Sequence, residues 1–158
     1  MKSAIIFYSY TGNTKKVALV LKEYLERQGT AELIELKALD ESKNFFGQCN
    51  RAFFGKEAKI EDAQLDLSGF DLICVGTPVW ALGPAPAVNA YMKKCFGAEG
   101  KTAAVFTTYG SGSGKGKCIQ KIQDAFKEKG ANKFCSFSIQ QFKVNNKDFI
   151  IDVLSATL

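Results

Sequence analysis

Histidine is absent from all 158 residues. That removes every Ser-His-Asp and Cys-His catalytic arrangement, and with it the commonest metal ligand. The five cysteines, at 49, 74, 95, 118 and 135, are odd in number and contain no C-x-x-C pair. Neither a disulfide framework nor a zinc site is expected, and Cys74, inside the apolar run "DLICVG", reads as a small buried hydrophobe. The chemistry of such a chain falls to a bound cofactor, with no catalytic side chain and no metal of its own.

Long hydrophobic runs are also lacking. No apolar stretch approaches the ~20 residues that cross a bilayer, and the opening "MKSAIIFYS" is too short in its apolar part for a signal peptide. A cytoplasmic protein without a membrane partner is the expectation. What is present is an ordinary globular composition, 46% hydrophobic and 23% charged, of a length that suits one domain spanning residues 1–158. Twenty-one basic residues against 16 acidic give a net charge of +5. This modest excess carries no aromatic-interleaved basic patch, so nucleic acid is not an expected partner.

Apolar runs recur at Ala4–Tyr8, Leu33–Leu36, Asp71–Val75, Ala103–Thr107 and Phe134–Ile139. Between them the apolar residues take helical spacing: Val17, Val20, Leu21, Tyr24 and Leu25, then Val88, Tyr91, Met92, Cys95 and Phe96, then Ile119, Ile122, Ala125 and Phe126. A last helix carries Phe149, Ile150, Val153 and Leu154 behind a cap at Asn145 or Asn146. Five strands alternating with five helices predict an α/β fold, a doubly wound parallel sheet with helices on both faces. "AIIFY", "DLICV" and "AAVF" are continuously apolar, as strands buried on both faces must be. "ELIEL" and "FCSFSI" mix in polar residues and read as edges. The implied order is 2-1-3-4-5, in which ligands bind beyond the carboxyl ends of the strands near the switch point between strands one and three.

Three loops stand at those ends. After strand one comes "YSYTGNT", where Ser9, Thr11 and Thr14 supply hydroxyls and Gly12, Asn13 and Thr14 open a helix. A helix start offers unpaired N–H donors and a positive dipole end, and so takes an anion without a lysine. One hydroxyl suffices to cap a helix, yet three fall here within six residues. After strand three comes "GTPVWALGPAP", a loop stiffened by proline and glycine that presents Trp80, the only tryptophan. After strand four comes "TTYGSGSGKGK", which raises Tyr109 in the corresponding position. A phosphate cradle, an indole and a phenol together suit a flat aromatic ligand with a phosphate tail, a flavin mononucleotide (FMN). Neither Ser9–Lys22, Thr77–Lys94 nor Thr102–Gln123 contains an Asp or Glu, whereas lysines stand at 15, 16, 115 and 117.

Other motifs fail on particular residues. "GSGSGKGK" has no glycine five positions before either Gly-Lys and no Ser or Thr after the lysine, so it is not a Walker loop. No G-x-G-x-x-G occurs. A response-regulator receiver needs acidic residues after strand one and an aspartate at the end of strand three, where this chain has Tyr10 and Thr77. A small tyrosine phosphatase needs a cysteine in the first loop.

"SYTGNT" is similar to the T/S-x-T-G-x-T phosphate loop of the flavodoxins, "GTPVWALGPAP" to their second flavin loop and "TTYG" to their third. The resemblance covers nearly the whole chain and is to the short-chain type. It implies a flavodoxin-like fold, FMN as cofactor, and a site in which Ser9, Tyr10, Thr11, Gly12, Asn13 and Thr14 hold the phosphate. Thr77, Pro78, Val79 and Trp80, with Thr108, Tyr109 and Gly110, flank the isoalloxazine. Electron transfer to a redox partner protein is the implied activity. The basic balance departs from the acidic flavodoxins and points to an acidic partner or an anionic small acceptor. Alternatives from other classes are an NAD(P)H-dependent FMN reductase acting on quinones or another small acceptor, and a flavin-free binding module, since fold alone does not fix function. The segment "NFFGQCNRAFFGK" adds an expectation of its own. There Phe45, Cys49 and Phe53 share one helical face and Phe46 and Phe54 form a second stripe, which packs under the loop or contacts a partner.

Overall fold

The computed structural model describes residues 1–38, 60–61 and 63–158; the Phe-rich segment and Cys49 lie outside them. Five parallel strands form one sheet: β1 (Lys2–Phe7), β2 (Thr30–Glu35), β3 (Leu72–Pro78), β4 (Thr102–Tyr109) and β5 (Lys133–Gln140). Their order is β2-β1-β3-β4-β5, as the strand compositions predict. Each of the three central strands is buried along nearly its whole length, whereas β2 and β5 alternate with exposed positions. Four helices are described: α1 (Asn13–Leu25), α2 (Pro86–Lys94), α3 (Lys115–Glu128) and α4 (Lys147–Thr157). The fifth expected helix falls outside the described residues.

Alternate residues of each strand face opposite layers. Ala4 and Ile6 of β1, Ile73 and Val75 of β3, and Ala103 and Val105 of β4 pack with Val88 and Tyr91 of α2 and Ile122 and Phe126 of α3. Their neighbours Ile5, Phe7, Cys74, Ala104 and Phe106 pack with Val17 and Leu21 of α1 and Ile150 and Leu154 of α4. Full burial of a side chain such as Ile73 or Leu21 is worth about 1.5–3 kcal/mol, so the two layers hold the sheet from both sides. Gly76 belongs to this packing. A β-carbon there would run into the Phe106 ring.

Helix boundaries follow local chemistry. Pro86 opens α2, where its missing N–H is not needed. Asn146 caps α4, its Oδ1 accepting from the Phe149 N–H at 3.0 Å. One expectation is corrected: the apolar spacing carries α2 through Cys95 and Phe96, but the helix ends at Lys94. Phe96 instead exchanges backbone hydrogen bonds with Leu65 and Leu67 and is 56% exposed. The turn follows at once at Gly97, whose φ of 83° suits glycine.

Candidate functional site

The carboxyl ends of β1, β3 and β4 open onto a cleft of about 330 Å³, within the range of small-ligand sites. Of the residues expected there, Tyr10, Thr11, Asn13, Thr14, Pro78, Val79, Trp80, Thr108, Tyr109 and Gly110 line it. Ser9, Gly12 and Thr77 are not among the lining residues. Ser111 and Gln141 also line the cleft, and sequence reasoning missed both. Ser111 follows directly on the third loop; Gln141 follows β5, where no motif marks it.

The first loop is set by Gly12, whose φ of 84° places it in the left-handed region as the residue before α1. Gly12, at the N-cap, has no side chain to cap the helix, and the first turn holds no acidic residue. Ser9 Oγ accepts from the Lys15 N–H at 3.1 Å and so closes the loop on itself. The Thr14 and Thr108 hydroxyls, both buried, lie 2.8 Å apart. Within such a pair one hydroxyl donates and the other keeps its proton free, so a donor remains for the cleft. Thr11 is the exposed hydroxyl of the three.

The second loop is braced from within. Thr77 Oγ1 accepts from the Ala85 N–H and donates to the Pro78 carbonyl, each at 2.9 Å. Trp80 and Gly83 exchange both backbone hydrogen bonds at 2.9 Å around a two-residue turn, and its central residues Ala81 and Leu82 have φ of 44° and 68°. Positive φ at two consecutive non-glycine residues is strained. Leu82 rests against Gly114, a contact that a β-carbon at 114 would destroy. Trp80 itself departs from the expectation of an indole held out of the core. It is only 6% exposed and joins the α2/α3 layer. Its ring meets those of Tyr8 and Tyr10 edge-on, at 5.7 and 5.5 Å between centroids. The indole thus packs on two tyrosines while still lining the cleft.

In the third loop the Lys115 ammonium stands 4.8 Å from the Tyr109 ring centroid. Lys15 is not the free cation that sequence neighbours suggest: β2 brings Glu35 to within 2.7 Å of its Nζ. Lys16 Nζ donates to Asn145 Oδ1 at 2.8 Å. The first turns of α2 and α3, like that of α1, hold no acidic residue.

The four described thiols stay out of this chemistry. Burial pushes Cys118 up to about 12 and Cys95 to about 11, and raises Cys74 and Cys135 as well. Among the described residues no cluster of acidic or cysteine side chains is arranged to hold a metal ion. No described helix is long and apolar enough to cross a membrane.

Residues 1–144 match the family described as NADPH-dependent FMN reductase. No curated protein matches the chain. Among solved structures, flavodoxin 1 from Bacillus cereus is similar at 19% identity and a TM-score of 0.62, with 98% of each chain covered. A flavoprotein from Lactobacillus acidophilus, solved in complex with FMN, is 19% identical at a TM-score of 0.63, covering 93% of this chain and 98% of its own. A candidate flavoprotein from Bacteroides uniformis gives 18% and 0.72, with 98% and 97% covered. These likenesses place the fold among the flavodoxin-like proteins.

Proposed function

The chain belongs to the NADPH-dependent FMN reductase family, which makes FMN its cofactor, and on that premise we propose that it holds FMN noncovalently in the cleft at the carboxyl ends of β1, β3 and β4 and passes electrons through it. The observation that carries this reading is the convergence on one cleft of the start of α1, a hydroxyl pair and two aromatic loops. The donor set fits FMN. The N–H groups of Asn13 and Thr14 at the start of α1 have no intrahelical partner, Thr11 and the Thr14–Thr108 pair add hydroxyls, and no carboxylate stands in the first turn to repel a phosphate. Trp80 and Tyr109 line the cleft with aromatic side chains that suit a flat ring.

Bound FMN would supply the one- and two-electron chemistry, which needs no side-chain acid or base. The work of the chain is then to bind, orient and tune. Gly12 and Ser9 shape the phosphate loop, Thr77 and the Trp80–Gly83 turn fix the second loop, and Tyr109 and Gly110 bound the other side. The protein acts as one domain in the cytoplasm. Its partner is a redox protein with an acidic face or an anionic small acceptor, attracted by Lys115 and Lys117 at the third loop.

The family match favours a second reading, in which NADPH reduces the bound flavin and a quinone or another small molecule reoxidises it. One measurement tests both readings and a second separates them. An absorption spectrum of the purified protein shows the flavin bands if either is right, and a colourless protein that takes up no added FMN overturns both. Steady-state NADPH oxidation with a quinone then decides. Turnover makes the chain a reductase, and a flavin reduced only by a protein donor makes it a carrier.

A further inference from the structure

We propose that Gln141 reads the pyrimidine edge of the flavin, which makes it a specificity residue supplied by a fourth loop; the inference rests on the FMN reading above. Gln141 opens the 3₁₀ turn Gln141–Lys143 directly after β5 and is the sole cleft-lining residue from that part of the chain. It reaches the cleft because β5 pairs with β4 through to Tyr109↔Gln140, which sets residue 141 beside Gly110. A β-carbon built on Gly110 would lie 3.4 Å from Gln141 Nε2 and 3.8 Å from its Oε1. The amide therefore lies against a stretch of backbone that glycine leaves uncovered.

Two neighbours hold this arrangement. Gln140 Nε2 donates to the Gly110 carbonyl at 3.1 Å, which ties the end of β5 to the third loop beside Gln141. Val144, just after the turn, is buried among the α1/α4 layer and anchors the segment. The other cleft-lining side chains offer hydroxyls, aromatic rings and apolar surface, apart from Asn13 in the phosphate loop. Beside the aromatic loops, Gln141 alone presents a donor and an acceptor together on one rigid plane. The part of a flavin that matches such a group is its imide, where the N3–H is a donor flanked by two carbonyl acceptors. A primary amide accepts from that N–H and donates to one of those oxygens. The dimethylbenzene edge offers nothing for it.

The test compares FMN with 3-methyl-FMN, in which the N3 donor is blocked, by titrating apoprotein and following flavin fluorescence. Wild-type protein is expected to bind 3-methyl-FMN about tenfold more weakly than FMN, the ratio for one hydrogen bond of ordinary strength. Gln141→Leu should bind FMN about tenfold more weakly than wild type and lose most of the discrimination, since its apolar side chain accepts the methyl group. Gln141 is exposed and bonded to no core group, so the fold should survive, and Gln141→Glu gives a second reading. Its carboxylate keeps the acceptor but sets a negative charge against the carbonyls, so FMN should weaken further. An unchanged FMN to 3-methyl-FMN ratio in Gln141→Leu overturns the proposal. Failure of wild-type apoprotein to bind FMN at all overturns the flavin reading itself, which is a different result.

Discussion

The hydroxyls of Thr14 and Thr108, 94 positions apart in the chain, lie 2.8 Å from each other in a buried pocket between the first turn of α1 and the end of β4. They tie the phosphate loop to the end of β4, from which the third loop follows. Thr14→Val or Thr108→Val alone should cost about 1–3 kcal/mol by stranding the partner hydroxyl. The double variant should cost no more than either single one, because no polar group is then left unpaired. Urea unfolding of the four proteins checks this; additive losses would show that the hydroxyls do not depend on each other.

The Trp80–Gly83 turn stores strain at Ala81 and Leu82. Replacing the pair by Asn-Gly, the residues favoured where both central φ are positive, should stabilise the fold by about 0.5–1 kcal/mol, the relieved left-handed strain less the entropy that glycine adds to the unfolded chain. Chemical denaturation measures it. A loss of stability instead would mean that the contact of Leu82 with Gly114 outweighs the strain.

The basic third loop yields a prediction about potential. Lys115 stands over the Tyr109 ring and Lys117 is exposed, and no acidic residue in the first turn of α3 offsets them. Positive charge favours a reduced, anionic flavin, and exposed charges act over about 8–10 Å at ordinary salt. Lys115→Gln with Lys117→Gln should therefore lower the midpoint potential and flatten the salt dependence of electron transfer. If neither moves in a spectroelectrochemical titration, these lysines are only a solvated surface.

Much of this was legible in the chain. Three continuously apolar runs and two mixed ones are a direct consequence of burial on two faces or one, so strand order could be read from composition. The loops at the carboxyl ends carried their own marks in Thr11, Gly12, Trp80 and Tyr109. What could not be read depended on distant partners. Glu35, at the end of β2, neutralises Lys15, although the flanking sequence holds no acid. Thr14 turns out to serve Thr108 and Ser9 to serve Lys15, where spacing alone gave both to a ligand. Gln141 enters the cleft only through the register of β5 on β4, and nothing in "SIQQFK" announces it. Trp80, on a loop yet buried against Tyr8 and Tyr10, shows that a ring can belong to core and cleft at once.

The thiols give a pH-dependent prediction. In the folded state burial holds Cys95 at about 11 and Cys118 at about 12, above the ~8.5 of an exposed cysteine. Their contribution is fully present below the unfolded value and is lost as pH rises through the folded ones. Stability should thus fall from about pH 9 upward, and Cys74, Cys95 and Cys118 should resist thiol reagents at neutral pH until the protein unfolds. Rapid labelling of Cys118 in folded protein would contradict the packing of α3.

The most direct test of a flavin held by this cleft is a titration of apoprotein with FMN and with riboflavin, following the emission of the single tryptophan. Because Trp80 lines the cleft, FMN should quench its emission saturably and bind more tightly than riboflavin. Thr11→Val should weaken FMN by about 1–3 kcal/mol while leaving riboflavin nearly unchanged. Emission that does not respond to FMN, or equal losses for both ligands in Thr11→Val, would contradict the placement of the flavin beside Trp80 and of its phosphate at the start of α1.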